Sequence, residues 1–331
     1  MNKTLKNTIF LLLSTLAGIA MMMWIYRGFN FSVLSQFFSY PRHYVWIALV
    51  LVAGITANVL RAYRWKMLLH AAHIHISKRR AIELIFIAYL INSVTPRLGE
   101  LARSLLVKRG NADISTRALG TVVIEKVADV AFLILVIGLA VSLRWTKTMA
   151  LVHSFSDRLT LALPGYLFYV VVGCAVCLLI GLSFPLWKYL RSFVSNLWQG
   201  VTAITHLESP LAFATLCTGI WLCNFLQLFL LIPCFDGMAQ VSLADMLHVF
   251  AALSVGVLLP TPAGAGPWHY AIVKTLTSIY AVERTTAQSF ALISHGVKTL
   301  LVMLLGLLGY ASYYRSVWKS AHRHRTLHTP H

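Results

Sequence analysis

The sequence Asn92-Ser93-Val94-Thr95-Pro96-Arg97-Leu98-Gly99-Glu100-Leu101-Ala102-Arg103 interrupts an otherwise apolar part of the chain. The apolar run before it, from Ala81 to Ile91, is too short to cross a bilayer, because a spanning helix needs about 20 mostly apolar residues. Pro96 removes a backbone donor and disfavours a helical residue before it, whereas Gly99 tolerates a turn. The stretch therefore predicts a half-helix that ends near Ser93 and a second that begins near Gly99. Irregular backbone at membrane depth needs protein or a water-filled cavity around it, so the break predicts a site.

The composition is typical of an all-α polytopic membrane protein. Hydrophobic residues make up 58% of the 331 positions and charged residues 11%, with a mean hydropathy of +0.74. In a chain of apolar spans, the net charge of +18 is expected to set orientation and to meet anionic lipid head groups, not nucleic acid. We expect no cofactor and no metal site, because no nucleotide-binding fingerprint occurs and the histidines of the tail have no regular ligand spacing.

Six full spans and two broken, re-entrant hairpins are predicted. The spans are Ile9 to Tyr26, Tyr44 to Leu60, Gly120 to Leu143, Leu163 to Leu182, Leu211 to Pro233, and Gln288 to Tyr310. The hairpins are Ala81 to Val107 and Leu243 to Leu276. The first span follows two lysines as a signal peptide would, but it lacks a small-residue cleavage site, so we interpret it as a retained helix.

Basic residues favour an orientation with both termini in the cytoplasm, since most of the 28 lysines and arginines then lie on the inner side. In this orientation, residues 44–143 and 211–310 form an inverted repeat within one transmembrane domain, residues 1–331. Residues 311–331 form a basic, histidine-rich cytoplasmic tail. Inverted repeats with breaks at matching places, here Pro96 and Pro262, indicate a transporter with a site near the midplane. The alternative is that two unrelated hairpins both contain proline.

The second half-helix of each hairpin predicts an anion site, because a helix N-terminus presents free N–H groups and partial positive charge. Arg97 and Arg103 are predicted to contact a phosphate, with nearby polar side chains as partners. Glu100 is predicted to pair with Arg103 or Arg97, either as a static ion pair or as one that opens when substrate binds. The predicted substrate-binding residues are Asn92, Thr95, Arg97, Gly99, Glu100, Arg103, Pro262, Gly264, Gly266 and His269.

A second group of residues is predicted to couple charge. Glu125 and Asp129 lie one helical turn apart and are expected to pair with Arg103 or Lys108, as scaffold or as coupling site. His295 and Lys298 complete the group. The alternative for each membrane histidine is a satisfied interhelical hydrogen bond, and Lys298 needs a partner or a wet cavity. The basic cluster at the end of the second span is interpreted as a set of interfacial anchors, namely Arg61, Arg64, Trp65 and Lys66.

Three motifs resemble the bacterial family named for the transmembrane region of lysylphosphatidylglycerol synthase, also called flippase-like. They are R-x-x-R-W at residues 61–65, N-x-x-x-P-x-x-G-E-x-x-R at 92–103, and E-K/R-x-x-D at 125–129. The family's P-x-G-G-x-G-x-x-E pattern is only partly kept from Pro262, and His269 stands at its acidic position. The resemblance implies lipid handling in the bacterial cytoplasmic membrane, without the soluble domain that transfers the amino acid.

Three functions follow as hypotheses. The first is a flippase or transporter for a phospholipid or lipid-linked anionic substrate, with no catalytic residue. The second is a membrane-embedded lipid-modifying transferase with Glu100 or His269 as general base. The third is a non-catalytic partner of a lipid-synthesis enzyme. The expected partners are membrane lipids, with a homo-oligomer or a lipid-synthesis enzyme as further alternatives.

Overall fold

The computed structural model describes residues 3–95, 98–107, 112–149, 206–257, 259 and 261–327. These residues form helices and short connections, and no strand occurs among them. The prediction of an all-α polytopic membrane protein is confirmed. The predicted span from Leu163 to Leu182 lies outside the described residues.

Ten α-helices are present in the described part of the chain. They are α1 (Lys3–Ile25), α2 (Ser32–Ser39), α3 (Pro41–Ala71), α4 (Lys78–Val94), α5 (Leu98–Leu106), α6 (Ala112–Leu143), α7 (Pro210–Phe229), α8 (Leu243–Gly256), α9 (Pro267–Tyr280) and α10 (Arg284–Leu327). Helix α10 continues through most of the segment that was predicted as a tail.

Within the described residues, three helical stretches are long and apolar enough to cross a membrane. They are Pro41–Ala71, Pro210–Cys234 and Arg284–Trp318. Helix α6 adds 32 residues with a row of exposed aliphatic side chains, among them Ile134 and Leu139. Such an outward apolar surface is expected where a helix faces lipid. The chain is therefore a multi-pass membrane protein.

Both predicted helix breaks are present. Helix α4 ends at Val94 and α5 begins at Leu98, close to the predicted positions. In the second hairpin a 3₁₀ turn, Pro262–Gly264, separates α8 from α9, and the backbone takes positive φ at Ala263, Gly264 and Gly266. Gly266 then permits α9 to begin at Pro267, where the missing N–H needs no partner.

Helices α3 and α7 pack antiparallel. A Cβ on Gly219 would approach Leu60, and one on Gly54 would approach Gln227, so the residue numbers rise on one helix as they fall on the other. The N-terminal helices of the two proposed halves thus run in opposite directions, as inverted halves require. The repeat itself stays a prediction.

Each hairpin is anchored at its start by a buried carboxylate. Glu83 on α4 accepts from Ser312 on α10 at 2.6 Å, and Asp245 on α8 accepts from Arg144, just after α6, at 2.7 Å. Burial acts to raise the pKa of Asp245, but hydrogen bonds from Arg144, Ser242 and Lys147 hold that pKa below its ordinary value. Each hairpin is therefore tied to the last helix of the other proposed half.

Candidate functional site

A buried ion cluster joins α3, α5 and α6. Arg64 on α3 is fully buried and donates to Glu125 Oε1 at 2.9 Å and to Asp129 Oδ1 at 2.7 Å. Glu125 and Asp129 lie on one face of α6 because they are four residues apart. The interpretation of Arg64 as an interfacial anchor is wrong, because its guanidinium points into the protein where two carboxylates neutralise it.

Arg103 completes this cluster from α5. Its Nη2 donates to Glu125 Oε2 at 2.6 Å, and its guanidinium carbon lies 4.5 Å from the ring centroid of Trp65. Trp65 is also fully buried, not interfacial as predicted, and its Nε1 donates to Thr121 at 3.1 Å. Glu125 thus receives one arginine on each carboxylate oxygen, which is a charge-assisted arrangement. One of its two predicted partners, Arg103, is found, and Lys108 lies outside the described residues.

Glu100 pairs with a different cation from those predicted. Its Oε1 lies 2.9 Å from Lys126 Nζ on α6, and its Oε2 accepts from Asn92 Nδ2 at 3.1 Å. The predicted Glu100–Arg103 pair is wrong because Arg103 is held by Glu125. Arg97, the other predicted partner, lies outside the described residues. The Lys126 side chain is 55% exposed, so solvent reaches this ion pair, whereas the arginine cluster is buried.

Asn92 and Gly99 close the first break. The Gly99 N–H donates to Asn92 Oδ1 at 2.8 Å, while Thr95 Oγ1 donates to the Ile91 carbonyl at 2.8 Å. A Cβ on Gly99 would lie 1.9 Å from the carbonyl oxygen of Ala88, so a side chain there is incompatible with this packing. Asn92, Thr95 and Gly99 therefore shape the tip of the first hairpin.

The second hairpin tip is covered by α1 and α10. His295 Nε2 on α10 lies 3.1 Å from the carbonyl oxygen of Ala263. His269 Nδ1 lies 2.7 Å from the Tyr26 hydroxyl, and the two histidine rings are 4.7 Å apart. Gly266 approaches Gly18 of α1 closely. Each histidine thus has a hydrogen bond to another element of the fold, as the alternative predicted, but His269 Nε2 is buried without a partner among the described residues.

Pro262 and Gly264 belong to the 3₁₀ turn itself. Gly264 and Gly266 both take a positive φ, which glycine accommodates. Lys298 lies on the turn of α10 after His295, with its Nζ 4.4 Å from the ring centroid of Trp268. The residues that were not singled out from sequence are Tyr26, Thr121 and Trp268. No spacing pattern marks them, because their partners lie far away in the chain.

A model of the family described as "Lysylphosphatidylglycerol synthase TM region" matches residues 11–306. The chain belongs to this family. Membership agrees with the resemblance drawn from the three motifs, and it makes the chain a membrane protein of lipid metabolism or transport. No curated protein and no solved structure matched the chain.

In this member of the lysylphosphatidylglycerol synthase transmembrane family, the three motifs occupy one place in the fold. Residues 61–65, 92–103 and 125–129 supply the buried arginine cluster and the open Glu100–Lys126 pair. Among the described residues, no group of three or more His, Cys, Asp or Glu side chains is arranged to hold a metal ion.

Proposed function

We propose that the protein carries a phospholipid or another lipid-linked anionic substrate across the membrane. The observation that carries this proposal is the convergence of the two hairpin tips on one part of α10. The 3₁₀ turn of the second hairpin contacts α4 of the first. Broken helices that meet inside a membrane domain are the arrangement in which transporters build substrate sites.

The register of α4 on α10 locates this meeting point. Ser312 bonds Glu83, a Cβ on Gly309 would meet Phe86, and one on Gly306 would meet Leu90. Continued at the same antiparallel register, Val94 at the end of α4 lies level with Leu301 or Val302. His295, about two turns earlier on α10, bonds the second tip at the Ala263 carbonyl. Both breaks therefore approach α10 within about two turns of each other.

The acidic and basic residues of the first hairpin divide into two roles in this proposal. Arg64, Arg103, Glu125 and Asp129 form a rigid scaffold, because removing Arg64 leaves Asp129 without a partner and removing Glu125 leaves the buried Arg103 without one. Glu100 and Lys126 form the pair that opens when an anion enters, since Lys126 is exposed and surface pairs are weak. The predicted direct contact of Arg103 with phosphate would require its bond to Glu125 to break.

Reconstituted vesicles with fluorescent phospholipids test the proposal. We expect inter-leaflet exchange of an anionic phospholipid well above that of protein-free vesicles, and slower exchange in the Glu100→Gln variant. Several head groups are needed, because the substrate determines the outcome. Exchange equal to that of protein-free vesicles for every head group would contradict the proposal. Formation of a modified lipid by the purified protein would instead favour the transferase hypothesis.

A further inference from the structure

Two basic side chains near the hairpin junction have no acidic partner. Lys298 on α10 and Arg61 on α3 form no ion pair with any carboxylate in the described part of the chain. The sequence has ten Asp and Glu residues, and Asp157 alone lies outside the described ranges. The two cations instead lie over aromatic rings, Lys298 over Trp268 at 4.4 Å and Arg61 over Tyr89 at 5.3 Å.

These cations also repel each other. Both carry the same sign, and the helices that bear them pack against each other, since a Cβ on Gly54 of α3 would meet the Leu301 side chain of α10. An unpaired ammonium at membrane depth is costly, and intramembrane ionisable residues mark substrate or ion pathways. The contrast with the neighbouring cluster is direct, because Arg64 and Arg103 are both neutralised by carboxylates. Lys298 and Arg61 thus form a local excess of positive charge.

The position of this excess charge fits a ligand site. Lys298 lies on the part of α10 where the two hairpin tips converge, and both cationic residues are partly exposed, so a ligand can reach them. Trp268, whose ring lies beneath Lys298, is itself buried, and its Nε1 has no hydrogen-bond partner among the described residues. A buried N–H donor without a partner is costly unless something else accepts its hydrogen bond.

We propose that Lys298 and Arg61 bind the phosphate of the substrate head group, with Trp268 Nε1–H as a neutral donor beside them. A phosphate oxygen between the two cations relieves their repulsion and forms charge-assisted hydrogen bonds. The acyl chains then remain in the surrounding lipid. This assignment rests on the proposed transport of an anionic lipid, and it replaces Arg103 by Lys298 and Arg61 as the phosphate contacts.

Calorimetric titration of the full chain in detergent with short-chain phosphatidylglycerol tests this site. Lys298→Gln and Arg61→Gln should each weaken binding about tenfold or more, because each removes a hydrogen bond from a charged donor. Lys298→Arg should keep most of the affinity, since the charge remains. Lys274→Gln is the matched control, because it removes one positive charge from a residue elsewhere in the fold and should bind as the wild type does.

Thermal unfolding separates a ligand contact from a scaffold role. Without ligand, Lys298→Gln should be at least as stable as the wild type, because it removes one of two repelling cations. At a given concentration, phosphatidylglycerol should raise the Tm of the wild type more than the Tm of Lys298→Gln, because the variant binds the lipid more weakly. Wild-type affinity in both single variants, or equal loss in the control variant, would overturn the assignment.

Inorganic phosphate distinguishes the two sources of the anion. Weak competition by inorganic phosphate at the same residues supports a lipid head group as the ligand. If inorganic phosphate binds as tightly as phosphatidylglycerol, the anion site is supported, but the lipid is not its specific ligand. Binding that depends on Lys298, without inter-leaflet exchange, would contradict transport and leave the site intact. If the Lys298 and Arg61 variants bind phosphatidylglycerol and exchange lipid between leaflets as the wild type does, the site is contradicted and the transport proposal stands.

Discussion

Arg64 is buried between two carboxylates, whereas its neighbour Arg61 is partly exposed. This difference in burial separates the roles of the two arginines. Arg64 meets Glu125 and Asp129, whereas Arg61, three residues earlier, lies over an aromatic ring and remains partly exposed. Three positions along a helix leave the two side chains about 60° apart around α3, so the arginine that points more directly into the protein is buried and the other remains partly exposed. One arginine therefore stabilises the fold, and the other is available to a ligand.

At the residue scale, we expect Arg64→Ala to lower the free energy of unfolding by about 3–5 kcal/mol, because it leaves Glu125 buried with one arginine and Asp129 with none. Thermal unfolding in detergent measures the loss. Arg42→Ala is the control, since the Arg42–Asp236 pair is exposed and such pairs contribute about 0–1 kcal/mol. Equal losses in the two variants would show that the buried cluster is not a stabilising element.

At the scale of secondary-structure elements, the feature that matters most is the break in each hairpin. Helices α4 and α5 pack closely because Gly99 has no side chain that would meet the Ala88 carbonyl. The Gly99 N–H then donates a hydrogen bond to Asn92 Oδ1. The tip is therefore held by one glycine and one amide. Proline punctuates the sequence at this break, but the close approach of the two arms depends on the glycine.

We expect Gly99→Ala to separate the two arms and to cost roughly 1–3 kcal/mol or more of stability, because the atom that it would meet belongs to the backbone. Lipid exchange should fall with it. Gly138→Ala provides the comparison, since nothing lies within 4 Å of its Cβ position on α6 and alanine favours a helix by about 1 kcal/mol. A wild-type Tm and wild-type exchange in Gly99→Ala would contradict the role assigned to the tip.

At the scale of the whole molecule, the two hairpins are proposed to enter the membrane from opposite faces. The antiparallel packing of α3 on α7 and the exchange of anchors through Glu83 and Asp245 support this arrangement. In a transporter, such an arrangement lets two halves alternate around one site.

Cysteine labelling tests the two directions of entry. In a chain whose five native cysteines are replaced by alanine, Thr95→Cys should react with a membrane-impermeant maleimide from the cytoplasmic side. Thr261→Cys should react from the outer side. Both replacements are similar in size to threonine and lie beside the breaks. Labelling of both positions from the same side would exclude the inverted arrangement.

The sequence by itself determined the fold class, the places of both helix breaks and the family. These properties depend on local chemistry, namely apolar length, proline and glycine, and on short motifs within single elements. Helix α4 ends at Val94 and α9 begins at Pro267 because those local rules hold there.

The tertiary structure alone decided which charges neutralise each other. Arg61 and Arg64 look alike in sequence, and Glu100 has basic residues on both sides along the chain, yet the pairs that form join residues on different helices. Pairing energies depend on distance and burial, and both are set only when α3, α5, α6 and α10 pack. The same packing leaves Lys298 without a carboxylate at the place where the two hairpin tips converge.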